Sequence, residues 1–164
     1  MTSVKIVPGL NAVTGDEGRG KTRLLQHLCE THSDAVWLDL RLPEHNDKTP
    51  EEIWAQQKNG KPHWDEDLCS ALCEALNLSP HLGKQLLMLS AGSRRKVALV
   101  ALLVCGARIT CLDQPFAALD QASIAVLCDF LNDVKDSPTR SWVVADYAAD
   151  PRLEWAQVIS LDPA

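Results

Sequence analysis

Apolar residues along the chain fall into short runs separated by polar segments, a pattern typical of strands that alternate with helices. The run over residues 10–14 ends at a glycine and predicts a buried strand. Residues 22–30 place three leucines on one helical face, and residues 35–38 predict a second strand. A strand, loop, helix and strand in this order indicate a parallel α/β sheet.

The later part of the chain predicts further elements of both kinds. Pro50 fits the first position of a short helix over residues 50–57, with Thr49 as its N-cap. Ser90 is expected to cap a longer helix that ends near residue 104. The remaining predictions are helices over residues 68–76 and 123–134 and strands over residues 109–112, 142–145 and 158–161.

Length and composition indicate one globular domain over residues 1–164, with a reduced helical insertion at about 41–88. Hydrophobic residues make up 46% and charged residues 23%, which is typical of soluble proteins. With a net charge of −6, the chain lacks the cationic field that nucleic-acid binders use, so we expect no nucleic-acid partner.

The longest apolar run, residues 97–107, is shorter than the roughly 20 residues of a membrane helix. No secretory signal is visible, and we expect a cytoplasmic protein.

Six cysteines are present, and none forms a C-x-x-C pair. Reduced, buried thiols are therefore the preferred interpretation over a disulfide framework. Cys69 and Cys73 lie four residues apart on one predicted helical face. A metal site there would need two more ligands, for which His63 and His81 are weak candidates.

The strongest chemical signal is the segment GDEGRGKT at residues 15–22, which matches G-x-x-x-x-G-K-[ST] between a predicted strand and helix. The glycines let backbone N–H groups turn toward phosphates, and the helix N-terminus adds a positive dipole end. Lys21 can reach the β- and γ-phosphates, and the Thr22 hydroxyl can bind Mg²⁺. The candidate nucleotide-binding residues here are Gly15, Asp16, Glu17, Gly18, Arg19, Gly20, Lys21 and Thr22.

A second signal is the apolar strand predicted over residues 109–112, which is followed by Asp113. Enzymes with such a phosphate loop use an aspartate at a strand end to hold Mg²⁺. Together with the loop, this strand predicts a metal site made of Thr22 and Asp113.

Two further segments carry a resemblance: LSAGSRRKVALVALLV, from Leu89 onward, and LDQPFAALD, which ends at Asp120. Both resemble segments of an ABC-type ATPase. The first is similar to the family's LSGGQ signature and the helix after it, and the second is similar to the family's LDEPFAALD. The alanine in LSAG, with RRKVAL after it, resembles most the ATPase subunit of the haem exporter of cytochrome c maturation. The resemblance implies a P-loop NTPase fold, a three-layer α/β domain with a mostly parallel sheet.

The resemblance also implies cofactors, partners and roles. ATP and Mg²⁺ would be bound, and two cassettes, identical or different, would dimerise around ATP. Ser90 and Gly92 would contact the γ-phosphate of ATP held by the second subunit, and Asp120 would lie in the D-loop at the dimer seam. A membrane permease would be the further partner and would hold the protein at the inner membrane. The alternative for Ser90 is a helix cap and nothing more.

Two residues depart from the family at positions that serve hydrolysis. Gln114 replaces the glutamate that orients and polarises the attacking water, and a glutamine cannot take a proton from that water. Asp146 stands where the family has its switch histidine, and a carboxylate is repelled by the γ-phosphate. If the alignment with the family is shifted by one residue, Tyr147 takes the position of the switch histidine, and a tyrosine is no better a substitute. We therefore expect hydrolysis to be slow or absent.

Two other family features are reduced. Nine residues precede Leu10, so we expect most of the antiparallel subdomain before the loop to be missing, together with its aromatic platform for adenine. Asp39 stands roughly where the family has its Q-loop glutamine, and Gln56 and Gln57 are later, weaker candidates.

Two classes of function stay open. Lys21, Asp113 and the LSAG motif favour an ATP-binding cassette coupled to a permease. Gln114 and Asp146 favour a non-transporting switch or binding module that uses nucleotide without turnover. A small-molecule kinase is disfavoured, because LSAG and LDQPFAALD have no role in one.

Overall fold

The computed structural model describes residues 4–163. They form two compact units, one made of residues 4–37, 108–115 and 127–163 and the other of residues 38–107 and 116–126. Within residues 4–163, none of the helices combines the length and the apolar character that a membrane crossing requires.

The first unit contains a five-stranded parallel sheet. Its strands are β1 (Gly9–Thr14), β2 (Ala35–Val36), β3 (Ile109–Asp113), β4 (Ser141–Asp146) and β5 (Gln157–Ser160). They lie in the order β2-β3-β4-β1-β5, and each neighbouring pair is parallel. The predicted parallel sheet is confirmed. The second strand is shorter than the predicted residues 35–38, because this edge strand pairs with β3 only at Ala35 and Val36.

Helices cover both faces of this sheet. Helix α1 (Lys21–Thr31) packs its leucines against a buried cluster that includes Val143 and Ala145 of β4. Side chains alternate along a strand, so Trp142 and Val144 face the opposite side. There the ring of Phe130, in helix α5 (Gln121–Val134), meets Trp142 edge to face, with ring centroids 5.3 Å apart. The three-layer α/β arrangement that the sequence predicts is therefore confirmed.

The second unit is built from helices α2 (Pro50–Lys58), α3 (Glu66–Ala75) and α4 (Ala91–Val104). Both predicted caps are confirmed: the Thr49 hydroxyl accepts from the Glu52 N–H, and the Ser90 hydroxyl accepts from the Ser93 N–H. Helix α4 is buried from Lys96 to Val104. The indole of Trp54 is also buried, and its N–H donates to the carbonyl of Val97 at 3.0 Å.

The cysteines are free thiols, and all but Cys29 are buried. Burial raises the pKa of Cys69 to about 11 and also raises the pKa of Cys73. Zinc binds thiolates, and neither of these thiols ionises readily at neutral pH. The structure thus favours buried structural thiols in α3 over a metal site.

Trp142 makes the sheet core sensitive to truncation, because its side chain is fully buried between β4 and α5. We expect Trp142→Ala to lower the free energy of unfolding by about 3–5 kcal/mol, since it removes a large apolar side chain and leaves a cavity. Urea unfolding followed by far-ultraviolet circular dichroism measures this change. The matched control is Val158→Ala on β5, where the side chain is 56% exposed and a change within about 0.5 kcal/mol is expected. Equal losses for both variants would contradict the assignment of Trp142 to the core.

Candidate functional site

The carboxyl ends of three strands meet at one edge of the sheet. β1 and β4 end side by side with Thr14 opposite Asp146, and Asp113 at the end of β3 lies opposite Ala145. Open parallel sheets bind their ligands at this edge, outside the strand ends. The sequence-predicted site residues of the first unit all lie at the end of one of these strands or in the segment that follows it.

The loop after β1 has the backbone conformation of a phosphate cradle. Gly18 and Gly20 have φ angles of +80° and +89°, which glycine adopts without strain. A Cβ atom built at either position would meet no heavy atom within 4 Å, so the space in front of both glycines is open. Gly15 differs, because a Cβ there would lie 3.2 Å from the Arg19 side chain. The loop thus packs tightly at its start and is open at the glycines that precede α1.

Lys21 is the first residue of α1 and is only 6% exposed. Its ammonium donates to the carbonyl oxygens of Gly15 and Asp16, the latter at 3.0 Å. The centre of the Tyr147 ring lies 4.6 Å from the same nitrogen. Because the N-cap is Gly20, no side chain caps α1, and its first N–H groups can bind an anion.

Thr22 and Asp113 lie together although 91 residues separate them in the sequence. The Thr22 hydroxyl donates to Oδ2 of Asp113 at 2.6 Å. A hydroxyl and a carboxylate are the hard oxygen ligands that Mg²⁺ prefers. The open glycine cradle, the buried lysine and this oxygen pair therefore fit a magnesium-bound triphosphate.

The two residues that depart from the family's hydrolytic pattern lie at neighbouring strand ends. Gln114 has a φ of +45°, an unfavourable conformation for a residue with a side chain, and its N–H donates to the carbonyl of Ala145 at 2.8 Å. Asp146 is the next residue after Ala145, and its carboxylate accepts from the N–H of Tyr147 at 2.8 Å. The contribution of either residue to hydrolysis stays a prediction.

One acidic residue that the sequence reasoning missed contacts the phosphate loop. Oδ1 of Asp162 accepts from the N–H of Asp16 at 3.0 Å and lies 3.4 Å from Nε of Arg19. Arg19 thus forms an ion pair with a residue outside the loop. Two acidic residues of the loop, Asp16 and Glu17, also lie close to Arg19 in the sequence. The one available signal is the position of Asp162 in the sequence, two residues after the end of β5, which pairs with β1.

The predicted signature residues Ser90 and Gly92 belong to the second unit, at the start of α4. A Cβ at Gly92 would lie 2.6 Å from the carbonyl oxygen of Ala118. The close approach of these two backbones therefore requires glycine here, whether or not a ligand binds.

Asp120 caps α5 by accepting from the N–H of Ser123 at 2.8 Å, and this hydrogen bond lowers the pKa of Asp120. Its other oxygen lies 3.8 Å from the ammonium of Lys96.

Asp39, the residue near the expected Q-loop position, is already paired. Arg41 donates to both of its carboxylate oxygens, at 2.9 and 3.0 Å, and these hydrogen bonds lower the pKa of Asp39. The pair lines a cavity of about 280 Å³ in the second unit, together with Arg94 and Arg95. The weaker candidates Gln56 and Gln57 lie within α2.

Comparison with known proteins identifies the family. The family model described as ABC transporter matches residues 3–117, more than half of the chain. Among curated proteins, the cytochrome c biogenesis ATP-binding export protein CcmA of Rhodospirillum rubrum is 34% identical over 111 residues, covering 67% of this chain and 45% of that protein. CcmA of Wolbachia pipientis is 35% identical over 81 residues, covering 49% and 37%. The matches thus span less than half the length of these two relatives.

Solved structures agree on the fold. An ABC transporter ATP-binding protein from Pyrococcus furiosus aligns with a TM-score of 0.73 over 93% of this chain and 84% of that one, at 19% identity. A bacterial ABC transporter cassette solved as a dimer aligns with a TM-score of 0.71, over 88% and 78%, at 15% identity. The predicted resemblance is confirmed: the chain belongs to the ABC transporter family as an ATP-binding chain related to CcmA.

Proposed function

We propose that the chain is the ATP-binding subunit of an ABC transporter, which binds MgATP, dimerises around it and hydrolyses it slowly or not at all. The observation that carries the proposal is the hydrogen bond between Thr22 and Asp113. This hydrogen bond joins a hydroxyl and a carboxylate, oxygen groups suited to Mg²⁺, beside a buried lysine and an open glycine loop. A chance glycine-rich turn would not bring a strand-end aspartate to the residue after the lysine.

The chain's own residues supply the binding chemistry. MgATP, when bound, would supply a negatively charged phosphate chain and a divalent cation that neutralises part of that charge. Lys21 would exchange its two carbonyl partners for phosphate oxygens, because a hydrogen bond between two charged groups is stronger than one to a neutral carbonyl. Thr22 and Asp113 would hold the cation, and the N–H groups around Gly18 and Gly20 would surround the phosphates.

Gln114 limits what the site can do with the bound nucleotide. Its amide can hydrogen-bond a water molecule but cannot accept that water's proton. Loss of a general base slows a reaction by about 10² to 10⁴. Asp146 adds negative charge at the adjacent strand end, which opposes a second negative group there.

Dimerisation and a permease partner rest on different support. Ser90 caps α4, and the N-terminus of this 14-residue helix is suited to an anion presented by a second subunit. A cassette of the same fold has been solved as a dimer. The CcmA relatives are named cytochrome c biogenesis ATP-binding export proteins, and this name supports a role in export. The partner that we propose for this role is a membrane permease, which would hold the chain at the cytoplasmic side of the inner membrane.

A second candidate is a non-transporting switch that uses ATP to hold a dimer together. Gln114 and Asp146 favour it, because both lower the expected rate of turnover while leaving the phosphate-binding loop intact. The two candidates differ in whether a permease binds the dimer.

Lys21→Ala tests nucleotide binding directly. We expect ATP affinity to fall by about 10- to 100-fold or more, because charge-assisted hydrogen bonds to phosphate are lost. Isothermal titration calorimetry with MgATP measures the change. Arg23→Ala, on the exposed side of the same helix, is the matched charge control and should bind as the wild type does. Unchanged affinity in Lys21→Ala would refute the phosphate-loop assignment.

The assembly state tests the second half of the proposal. Size-exclusion light scattering with MgATP should report a doubled mass relative to the nucleotide-free protein, with little phosphate released from the same samples. A dimer that decays as phosphate accumulates would show substantial turnover and remove the slow-hydrolysis claim. A mass that MgATP leaves unchanged would count against dimerisation.

Gln114→Glu restores a carboxylate at the position of the family's glutamate. We expect phosphate release to rise by about 10²-fold or more, because a proton acceptor is returned to the water. Gln26→Glu, exposed on α1, adds the same charge elsewhere and should leave the rate as in the wild type. A Gln114→Glu variant that binds MgATP and remains inactive would contradict the assignment of slow hydrolysis to Gln114 alone.

A further inference from the structure

Tyr147 is the chain's only tyrosine, and it directly follows β4. Its side chain is 52% exposed, whereas large aromatic side chains usually find cover in the core. The centre of its ring lies 4.6 Å from Nζ of Lys21, within the range of a cation–π contact. The half-exposed ring therefore lies over the ammonium of Lys21, the group that binds phosphate under the proposed function.

Two hydrogen bonds and one ring contact surround the ammonium group of Lys21. A lysine has three N–H donors, and two of them are directed at the carbonyl oxygens of Gly15 and Asp16. The Tyr147 ring covers a further side of the nitrogen. The lysine residue as a whole is only 6% exposed. The ammonium is thus stabilised by the protein before any phosphate arrives.

The backbone of Tyr147 is itself held in place. Its N–H donates to the carboxylate of Asp146 at 2.8 Å, and Asp146 lies opposite Thr14, the residue before the phosphate loop. The strand ends therefore fix the ring's point of attachment relative to the loop. This contact also assigns Asp146 a structural task that is independent of hydrolysis.

We propose that Tyr147 is a positioning residue that competes with the triphosphate for Lys21. The inference rests on the proposed MgATP binding at this loop. In the nucleotide-free protein the ring holds the ammonium against the two carbonyls, and phosphate oxygens take over that cation only when the ring moves off it. Tyr147 thereby lowers the affinity of the site for ATP and favours release of nucleotide from a cassette that turns over slowly.

The affinity of two Tyr147 variants tests the sign of this effect. We expect Tyr147→Ala to bind MgATP about 3- to 30-fold more tightly than the wild type, the factor that corresponds to losing one cation–π contact. Tyr147→Phe retains a ring and should stay close to the wild-type affinity. Val158→Ala, exposed on the sheet edge, is the control for a general surface effect. Unchanged or weaker binding in Tyr147→Ala would overturn the inference.

A label on the single tyrosine tests the contact itself. Incorporated 3-fluorotyrosine gives one ¹⁹F resonance, which should shift in the nucleotide-free Lys21→Met variant because the cation under the ring is removed. It should also shift when MgATP is added to the wild type. A resonance that Lys21→Met leaves unchanged would show that the ring does not contact the lysine in solution.

The outcomes separate this inference from the proposed function. If the wild-type chain binds no MgATP in calorimetry, the proposed function is overturned. The inference that Tyr147 competes with a triphosphate is then overturned as well, because it rests on that function. Equal MgATP affinity in the wild type and Tyr147→Ala overturns the inference about Tyr147 alone. Tighter binding in Tyr147→Ala, together with a ¹⁹F shift in Lys21→Met, supports both.

Discussion

The parallel pairing of β4 with both β1 and β3 places three strand ends side by side, and the candidate site of the first unit depends on it. A shift of one residue in this register would turn every second side chain to the other face of the sheet. The buried alternation along β4 prevents such a shift, because Trp142 and Val143 must each remain in their own apolar layer. Core packing therefore sets the distance between Thr22 and Asp113.

Local backbone strain marks the same edge of the sheet. Gln114 adopts a positive φ, and its N–H is bonded to the neighbouring strand end. Conformations of this kind persist only where the surrounding structure holds them, and they are concentrated at functional sites. Gly18 and Gly20 adopt positive φ angles without that cost, and both leave open space where a side chain would otherwise project.

The proposed function combines a phosphate-binding loop with residues at the expected hydrolytic positions that differ from the family pattern. The loop, the buried lysine and the oxygen pair fit a triphosphate with its cation, while Gln114 and Asp146 supply neither a suitable base nor an imidazole. Tyr147 adds an aromatic contact to the lysine that no motif in the sequence indicates. Under the proposed function, we expect binding and release of nucleotide to govern the cycle more than rapid cleavage does.

The sequence by itself determined the order of the elements, the glycine loop, the strand-end aspartate and the helix caps at Thr49 and Ser90. These features depend on neighbours within a few residues, where periodicity and capping chemistry act. Only the tertiary structure decided that the Tyr147 ring lies over Lys21 and that Asp162 bonds to the loop. Both contacts join segments more than 100 residues apart, and they exist because strand order in the sheet, which local patterns do not specify, brings β4 and β5 beside β1.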